Sequence, residues 1–256
     1  MMVDGSGSGV IVRLDTVDST QTVAFALAER GAADRTVVIA DQQTSGRGRR
    51  GRVWQAPARS SLLASILVRP RLPQGLLATL SPMTAVATAE ALRRVAALAP
   101  RLKWPNDVLV NGRKIAGILL ESRSVASSEP VLVIGVGVNL DQREFPPELA
   151  GQATSVALET GRAVDRDTLL AALLEEFDAW RARLEGQGFA LVRERWKSLS
   201  DTIGRKVTVD GVSGTATDLD ADGALLIDGG EGVRRVIAGE IATDEMATGD
   251  PHAARR

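Results

Sequence analysis

The chain has 256 residues, with 31 Lys and Arg against 32 Asp and Glu for a net charge of −1, 44% apolar residues and no cysteine. That length accommodates one large domain with a small companion, and the near-neutral charge excludes the overall electrostatics of a nucleic-acid binder. Lack of cysteine excludes disulfides and thiol chemistry; with no apolar run of membrane-spanning length and no leader-like start, a cytoplasmic location is expected.

Residues 1–9 are rich in Gly and Ser and predict a flexible N-terminus. Residues 10–14 predict a strand, and Asp18-Ser19-Thr20 offers an N-cap to an apolar helical pattern that Gly31 would close. Residues 36–40 and 61–68 predict buried strands, and Ser81-Pro82 predicts the start of a helix running to about Leu98. Residues 102–110 and 114–120 flank Asn111-Gly112, a strong hairpin signal, and residues 131–138 predict a further strand. Residues 167–184 form an amphipathic pattern, and 189–199 predict a second short helix. Beyond Thr202 the helical period disappears. Short β-runs at 206–209, 215–219, 224–227 and 233–237, separated by glycines, predict a small barrel-like β-domain. The expected organisation is a flexible segment at 1–9, a main domain at 10–200, a β-domain at 201–245 and a disordered tail at 246–256.

The densest charge lies at residues 46–52, where four arginines and three glycines follow one another without an acid. Glycine lets a backbone approach a ligand closely, and the planar fork of arginine suits phosphate and carboxylate. A solvated turn or an RG-type RNA contact would have the same composition. The apolar strand before this loop and Trp54 just after it favour a lid over something anionic, with Trp54 stacking on a planar base or filling core.

A second constellation is Lys103-Trp104-Pro105-Asn106-Asp107, followed by Lys114 and then Ala116-Gly117. Pro105 is expected to hold Trp104 extended, and the hairpin would bring Asp107 and Lys114 onto facing legs. A surface ion pair of little consequence is the bland alternative. It fits poorly, because Ile115, Ile118, Leu119 and Leu120 mark the strand as buried, where a lysine is costly unless it meets an anion. The third element is Gly135-Val136-Gly137-Val138-Asn139, whose alternating glycines leave room for a ligand or another backbone. No third glycine opens a helix, so it is not a dinucleotide fingerprint. Asn139 by itself reads first as a structural cap and second as a reader of an adenine edge.

With Asp18-Ser19-Thr20, Gln43 and the arginine loop with Trp54, Lys103 to Asp107, Lys114-x-Ala116-Gly117 to Glu121, and Gly135-x-Gly137-x-Asn139 in this order, the chain resembles the biotin protein ligases over residues 12–241. The resemblance implies an α+β fold: a class II aminoacyl-tRNA-synthetase-like catalytic domain, with a mixed sheet flanked by helices, and a small C-terminal SH3-like β-barrel. It implies ATP and biotin as substrates with Mg2+, a biotinyl-5′-AMP intermediate, and transfer to a lysine of the carrier domain of an acyl-CoA carboxylase. By the same resemblance Ser19, Thr20, Gln21, Gln43, Arg47, Gly48, Arg49, Lys114 and Gly117 would hold biotin. Arg50, Trp54, Lys103, Asn106 and Asn139 would hold ATP, and Arg49, Lys114 and Asp107 would act at the reacting atoms. No metal ligands are assigned. Ser19-Thr20 comes so early that no helix-turn-helix domain is expected before it, so the resemblance is to the monofunctional class, a monomer or weak homodimer that binds neither DNA nor membrane. A lipoate or octanoate ligase shares the implied fold, and an RNA-binding module is the alternative of another class.

Overall fold

In the computed structural model, residues 3–4, 9–124 and 130–242 are described. The chain order is β1 (Val3–Asp4), β2 (Ile11–Val17), α1 (Thr20–Glu29), β3 (Val37–Gln43), β4 (Ser61–Val68), α2 (Leu80–Ala96), β5 (Arg101–Lys103), β6 (Asp107–Val110), β7 (Arg113–Ser124) and β8 (Pro130–Asn139). Then follow α3 (Val156–Thr160), α4 (Arg166–Gln187), α5 (Ala190–Leu199), β9 (Lys206–Val209), β10 (Val212–Leu219), β11 (Leu225–Asp228), β12 (Val233–Val236) and β13 (Ile241–Ala242). The first eight strands form one sheet in the order β1-β2-β3-β4-β8-β7-β6-β5, and the last five form a second sheet in the order β12-β11-β10-β9-β13. Only the β2–β3 pair is parallel; the described pairs otherwise run antiparallel. A mixed sheet flanked by helices, with a small antiparallel β-unit after it, is the expected α+β architecture.

The two faces of the large sheet are occupied differently, and that difference positions the site. Ile39, Leu62, Ile66, Ile134, Val136 and Val138 pack with α2, α4 and α5 in one core that continues into Val209, Leu219 and Ile227 of the second sheet. On the opposite face Val38, Leu67, Val131 and Val133 pack with Ala24, Phe25 and Ala28 of α1. Side chains alternate along a strand, so Gly135, Gly137 and Asn139 share the α1 face with Val131 and Val133. The ten-residue α1 covers that end of β8 only at its first turn, where Gln21 lies over Gly135. Where apolar side chains would continue, the strand presents bare backbone.

Several boundaries differ from expectation. Helix α2 begins at Leu80 because Thr79 is already helical at the end of a 3₁₀ turn over Gln74–Thr79, so Ser81 is not an N-cap. Pro82 still falls in the first turn, where its missing N–H has no partner to lose. The turn and helix together make a 23-residue segment, Gln74–Ala96, whose hydropathy meets that of a membrane span, contrary to the expectation that no run reaches that length. Its most apolar 18-residue stretch is 67% buried within the protein, and the helix packs on α4 and α5, as a core helix does. The strand expected over 102–110 is two strands separated by a turn at residues 104–106, with a cis Trp104–Pro105 peptide. The expected hairpin is present, with Asn111 and Gly112 at φ 50° and 75°. Helix α3 and strand β13 had no clear sequence signal. Val3–Asp4 pair with Val12 and Ile11, while the rest of residues 1–8 and the tail at 246–256 lie outside the described residues.

Candidate active site

Bare backbone at Gly135 and Gly137 is joined by Gly117, which pairs directly with Gly137 across β7 and β8. A Cβ at Gly137 would lie 2.6 Å from Trp54 Cε2 and 2.7 Å from Cζ2, so the indole rests against the strand itself. A Cβ at Gly117 would lie 3.1 Å from both Trp54 Cζ3 and Lys114 Cε, and one at Gly135 would lie 3.1 Å from Gln21 Cδ. Those three glycines make a floor shaped for a planar group. The floor belongs to a cavity of about 930 Å³ whose far wall includes Thr202, Lys206 and Ile241 of the C-terminal unit. A pocket of this size is within the range used for small-molecule ligands.

One end of the cavity is a polar cluster at the start of α1. The Thr20 backbone N–H donates to Gln43 Oε1 at 2.8 Å, the Thr20 hydroxyl lies 3.0 Å from the same oxygen, and it lies 2.8 Å from the Ser65 hydroxyl. Gln21 Nε2 donates to the Leu119 carbonyl at 3.1 Å, which fixes the side chain over Gly135. Ser19 occupies the N-cap position of α1, buried, yet its hydroxyl makes no capping bond. These groups display both donors and acceptors within one enclosed corner.

At the other end, the arginine loop closes on itself: the Trp54 N–H donates to the Gly46 carbonyl and the Gly48 N–H to the Arg52 carbonyl. Its cations are held outward and inward by different partners. Arg47 pairs with Glu121 at 3.0 Å. Arg49 reaches Asn106 Oδ1 at 3.3 Å and the Gly239 carbonyl at 3.2 Å, and Arg52 pairs with Glu240. Burial pushes the Arg49 guanidinium below its usual range, with Glu240 and Asp107 pulling it back up. It stays charged at neutral pH. Arg50 departs from expectation: it takes φ 55°, pairs with Asp210 at 2.7 Å and lines a second hollow on the outer side of the loop.

Asp107 and Lys114 stand on β6 and β7, with Lys114 Nζ 2.5 Å from Asp107 Oδ1. The contact is short but off the axis of a formed hydrogen bond, since Oδ1 counts no such partner, and it is best described as an ion pair. Lys114 Nζ also lies 5.8 Å from the centre of the Trp54 ring. Asn106 donates to the Ile118 carbonyl at 2.7 Å and Asn139 to the Thr154 carbonyl at 3.0 Å, so both have structural bonds while lining the cavity. Trp54 Nε1 is buried without a hydrogen-bond partner among the described residues. Seven Lys and Arg line the cavity against three carboxylates, Asp107, Asp201 and Glu240, in a chain whose net charge is −1. Such a local excess of cations focuses the field on an anion.

Of the residues named from the sequence, Ser19, Thr20, Gln21, Gln43, Arg47, Gly48, Arg49, Trp54, Lys103, Asn106, Asp107, Lys114, Gly117 and Asn139 line this one cavity, and Arg50 does not. Sequence reasoning missed Ser65, Arg52, Glu121 and the C-terminal partners Asp210, Gly239 and Glu240. Arg52 and Glu121 carried a signal, since they sit in the arginine run and in the Lys114–Glu121 motif; Ser65 and the C-terminal partners had none.

Residues 14–139 match the model of the biotin/lipoate A/B protein ligase family, and residues 202–243 match that of the biotin protein ligase C-terminal domain. The chain is 37% identical over 239 residues to the biotin–[acetyl-CoA-carboxylase] ligase of Paracoccus denitrificans, covering 89% of this chain and 98% of that one. It is 34% identical to the bifunctional ligase/repressor BirA of Escherichia coli, covering 91% of this chain and 74% of that protein. Among solved structures, the biotin protein ligase of Aquifex aeolicus in complex with biotin and ATP superposes with a TM-score of 0.79 at 31% identity, covering 91% and 97% of the two chains.

Proposed function

This chain belongs to the biotin protein ligase family, and on that premise we infer that its cavity joins biotin to ATP and then to a lysine of a carboxylase carrier domain. The enzyme is a biotin ligase; the assignment of individual residues is our reading. The observation that carries it is the glycine floor of Gly117, Gly135 and Gly137, with the Lys114–Asp107 pair at its edge and an arginine loop as its roof.

The chemical problem is to bring a carboxylate onto an α-phosphate when both are anionic. A carboxylate oxygen of biotin attacks the α-phosphorus, the bond to the β-phosphate oxygen breaks, and pyrophosphate leaves. Fixed cations placed where charge builds up lower that barrier without reorganising at the moment of reaction. Arg49 and Lys114 are the cations that reach this point. Ser19, Thr20, Gln21 and Gln43 bind the ureido ring, whose N–H groups and carbonyl match the mixed polar corner. Arg47 and Gly48 close over biotin. Asn106, Asn139 and Lys103 hold the nucleotide, with Trp54 against the base. Mg2+ would be held mainly by the ATP phosphates, since no cluster of three carboxylates or histidines occurs among the described residues, and would supply further charge neutralisation there.

The adenylate is a mixed anhydride, so water must be kept away until an amine arrives. The carrier lysine, as its free amine, attacks the anhydride carbonyl, the bond to the phosphate oxygen breaks and AMP leaves. Asp107 stands where it can hold that amine and receive the released proton. A loop closed on itself over residues 46–54 is the shield.

Biotin-dependent ATP–pyrophosphate exchange, followed by transfer of labelled biotin to a carrier domain, tests the reading. Lys114→Ala should lower exchange by about 10²- to 10³-fold while the melting temperature stays within a few degrees, as removal of a transition-state cation predicts. Exchange near the parental rate in that variant would remove Lys114 from the chemistry. Exchange supported by lipoate and not by biotin would redirect the whole assignment.

A further inference from the structure

Lys114 is held in place by backbone bonds to residues 152 and 154, and the network behind Thr154 converges on one carboxylate outside the cavity. Its backbone N–H donates to the Gln152 carbonyl at 2.8 Å, and its carbonyl accepts from the Thr154 N–H at 2.8 Å. Residues 152–154 thus run beside β7 as a short parallel bridge to the lysine. The Thr154 carbonyl accepts the Asn139 amide at 3.0 Å, so one threonine is bonded to two residues that line the cavity.

What fixes Thr154 is Glu159 of α3. Glu159 Oε1 accepts from the Thr154 hydroxyl at 2.6 Å and from Arg113 Nη2 at 2.8 Å, while Oε2 accepts from Asn111 Nδ2 at 2.7 Å. Its side chain is only 3% exposed. A buried carboxylate is costly unless every lone-pair direction finds a donor, and here three donors converge on it from two segments. Asn111 lies in the turn of the β6–β7 hairpin and Arg113 opens β7 next to Lys114, while Thr154 lies on the bridging segment. Helix α3 is itself anchored by the Ser155 hydroxyl accepting from the Leu158 N–H and by the Ala157 N–H donating to the Leu140 carbonyl.

We propose that Glu159 is a positioning residue for catalysis: its buried carboxylate staples the hairpin turn to Thr154, and through Thr154 it sets both the reach of Lys114 and the orientation of the Asn139 amide. Glu159 does not line the cavity, so it acts only through the residues it holds. The inference rests on the role given to Lys114 above.

Three variants of the full chain test it: Glu159→Ala, Glu159→Gln and Thr154→Val. Each is assayed by biotin-dependent pyrophosphate exchange, thermal melting and amide hydrogen exchange of the peptides around residues 114 and 154. Misplacing a catalytic group by about 1 Å costs on the order of 10²-fold, so Glu159→Ala should lower kcat by about 10- to 100-fold with the KM for biotin within threefold. Faster amide exchange should be confined to those two peptides. Glu159→Gln restores most of the loss, because a rotated Asn111 amide can accept from its Nε2 while Oε1 keeps Arg113 and Thr154. Thr154→Val removes only the link, and should lower kcat by about 10-fold even if Glu159→Ala fails to fold. Parental kcat in Thr154→Val, or a loss in Glu159→Ala that appears only in KM, overturns the proposal. If Lys114→Ala itself retains exchange, the underlying reading has failed instead, and the two outcomes are separate.

Discussion

Gly137→Ala is the sharpest test of the glycine floor. The new methyl would sit 2.6 Å from Trp54 Cε2, 2.7 Å from Cζ2 and 3.0 Å from Cδ2. Carbon atoms rest comfortably at about 3.5–4.0 Å, so the indole must withdraw by about 1 Å. Gly137 is not at positive φ, and the backbone accepts alanine without strain. Removing glycine freedom from the unfolded chain stabilises by about 0.4–1 kcal/mol, while displacing the indole costs about 1–3 kcal/mol, so the melting temperature should hold or fall by a few degrees. Activity should behave differently. A shift of about 1 Å in a positioning group costs on the order of 10²-fold. That corresponds to about 2.7 kcal/mol at 1.36 kcal/mol per decade. The assay is kcat/KM for ATP in biotin-dependent pyrophosphate exchange, with thermal melting alongside. Gly75→Ala serves as a control, since nothing lies within 4 Å of a Cβ there. A Gly137→Ala enzyme within threefold of the parent would refute the floor as the surface that sets Trp54 against the nucleotide.

Two adjacent loop arginines should separate cleanly. Arg49→Ala should raise the KM for ATP at least about 10-fold, because its guanidinium is half-buried at the cavity and has no substitute there. Arg50→Ala should change it by less than about threefold, since an exposed pair such as Arg50–Asp210 is worth roughly 0–1 kcal/mol. Equal effects from the two would show that the loop reorients. Asp218 predicts a pH signature. Burial raises its pKa, but hydrogen bonds from Arg193 and Lys197 outweigh that and hold it below the usual carboxylate range. A depressed folded pKa adds stability above the unfolded value, about 3.9, and that stability is lost as pH falls through the folded value. Asp218→Asn should therefore lower the melting temperature by about 2–4 °C at pH 7, for roughly 1 kcal/mol. The deficit should shrink below pH 4, and a constant deficit from pH 7 to 3 would sink the assignment.

Local chemistry decided what could be read ahead of the structure. Ser61–Val68 is buried along its whole length, and a continuous apolar run between polar flanks can be little else than an interior strand. Asn111-Gly112 marked its turn because two successive positive-φ residues suit that pair. The break at residues 104–106 was not legible, because it is secured from afar: the Ile118 N–H donates to the Asn106 carbonyl, and Asn106 Nδ2 donates back to the Ile118 carbonyl. Helix α3 has five residues, too few to display a period, and its environment comes from the hairpin 46 residues away. The arginine loop was visible as charge. Its partners were not, since Asp210, Gly239 and Glu240 lie 160, 190 and 188 residues further along the chain.

That separation bears on how the loop works. Three of its arginines are held by the C-terminal unit, Arg49 by a carbonyl and Arg50 and Arg52 by carboxylates, and the fourth is held by Glu121 of β7. Without such partners, four cations within seven residues would repel one another and splay into solvent. With them, the roof is preorganised over the floor, and the entropy of ordering it is largely spent in folding. On the reading proposed above, an incoming triphosphate would exchange partners with the cavity-lining Arg47, Arg49 and Arg52 rather than recruit free arginines. The exchange favours phosphate, because an exposed carboxylate pair contributes little while a fork of donors on phosphate is strong and directional. The second β-sheet, on this argument, matters to catalysis through the geometry it imposes on the loop, although few of its own side chains face the reacting atoms.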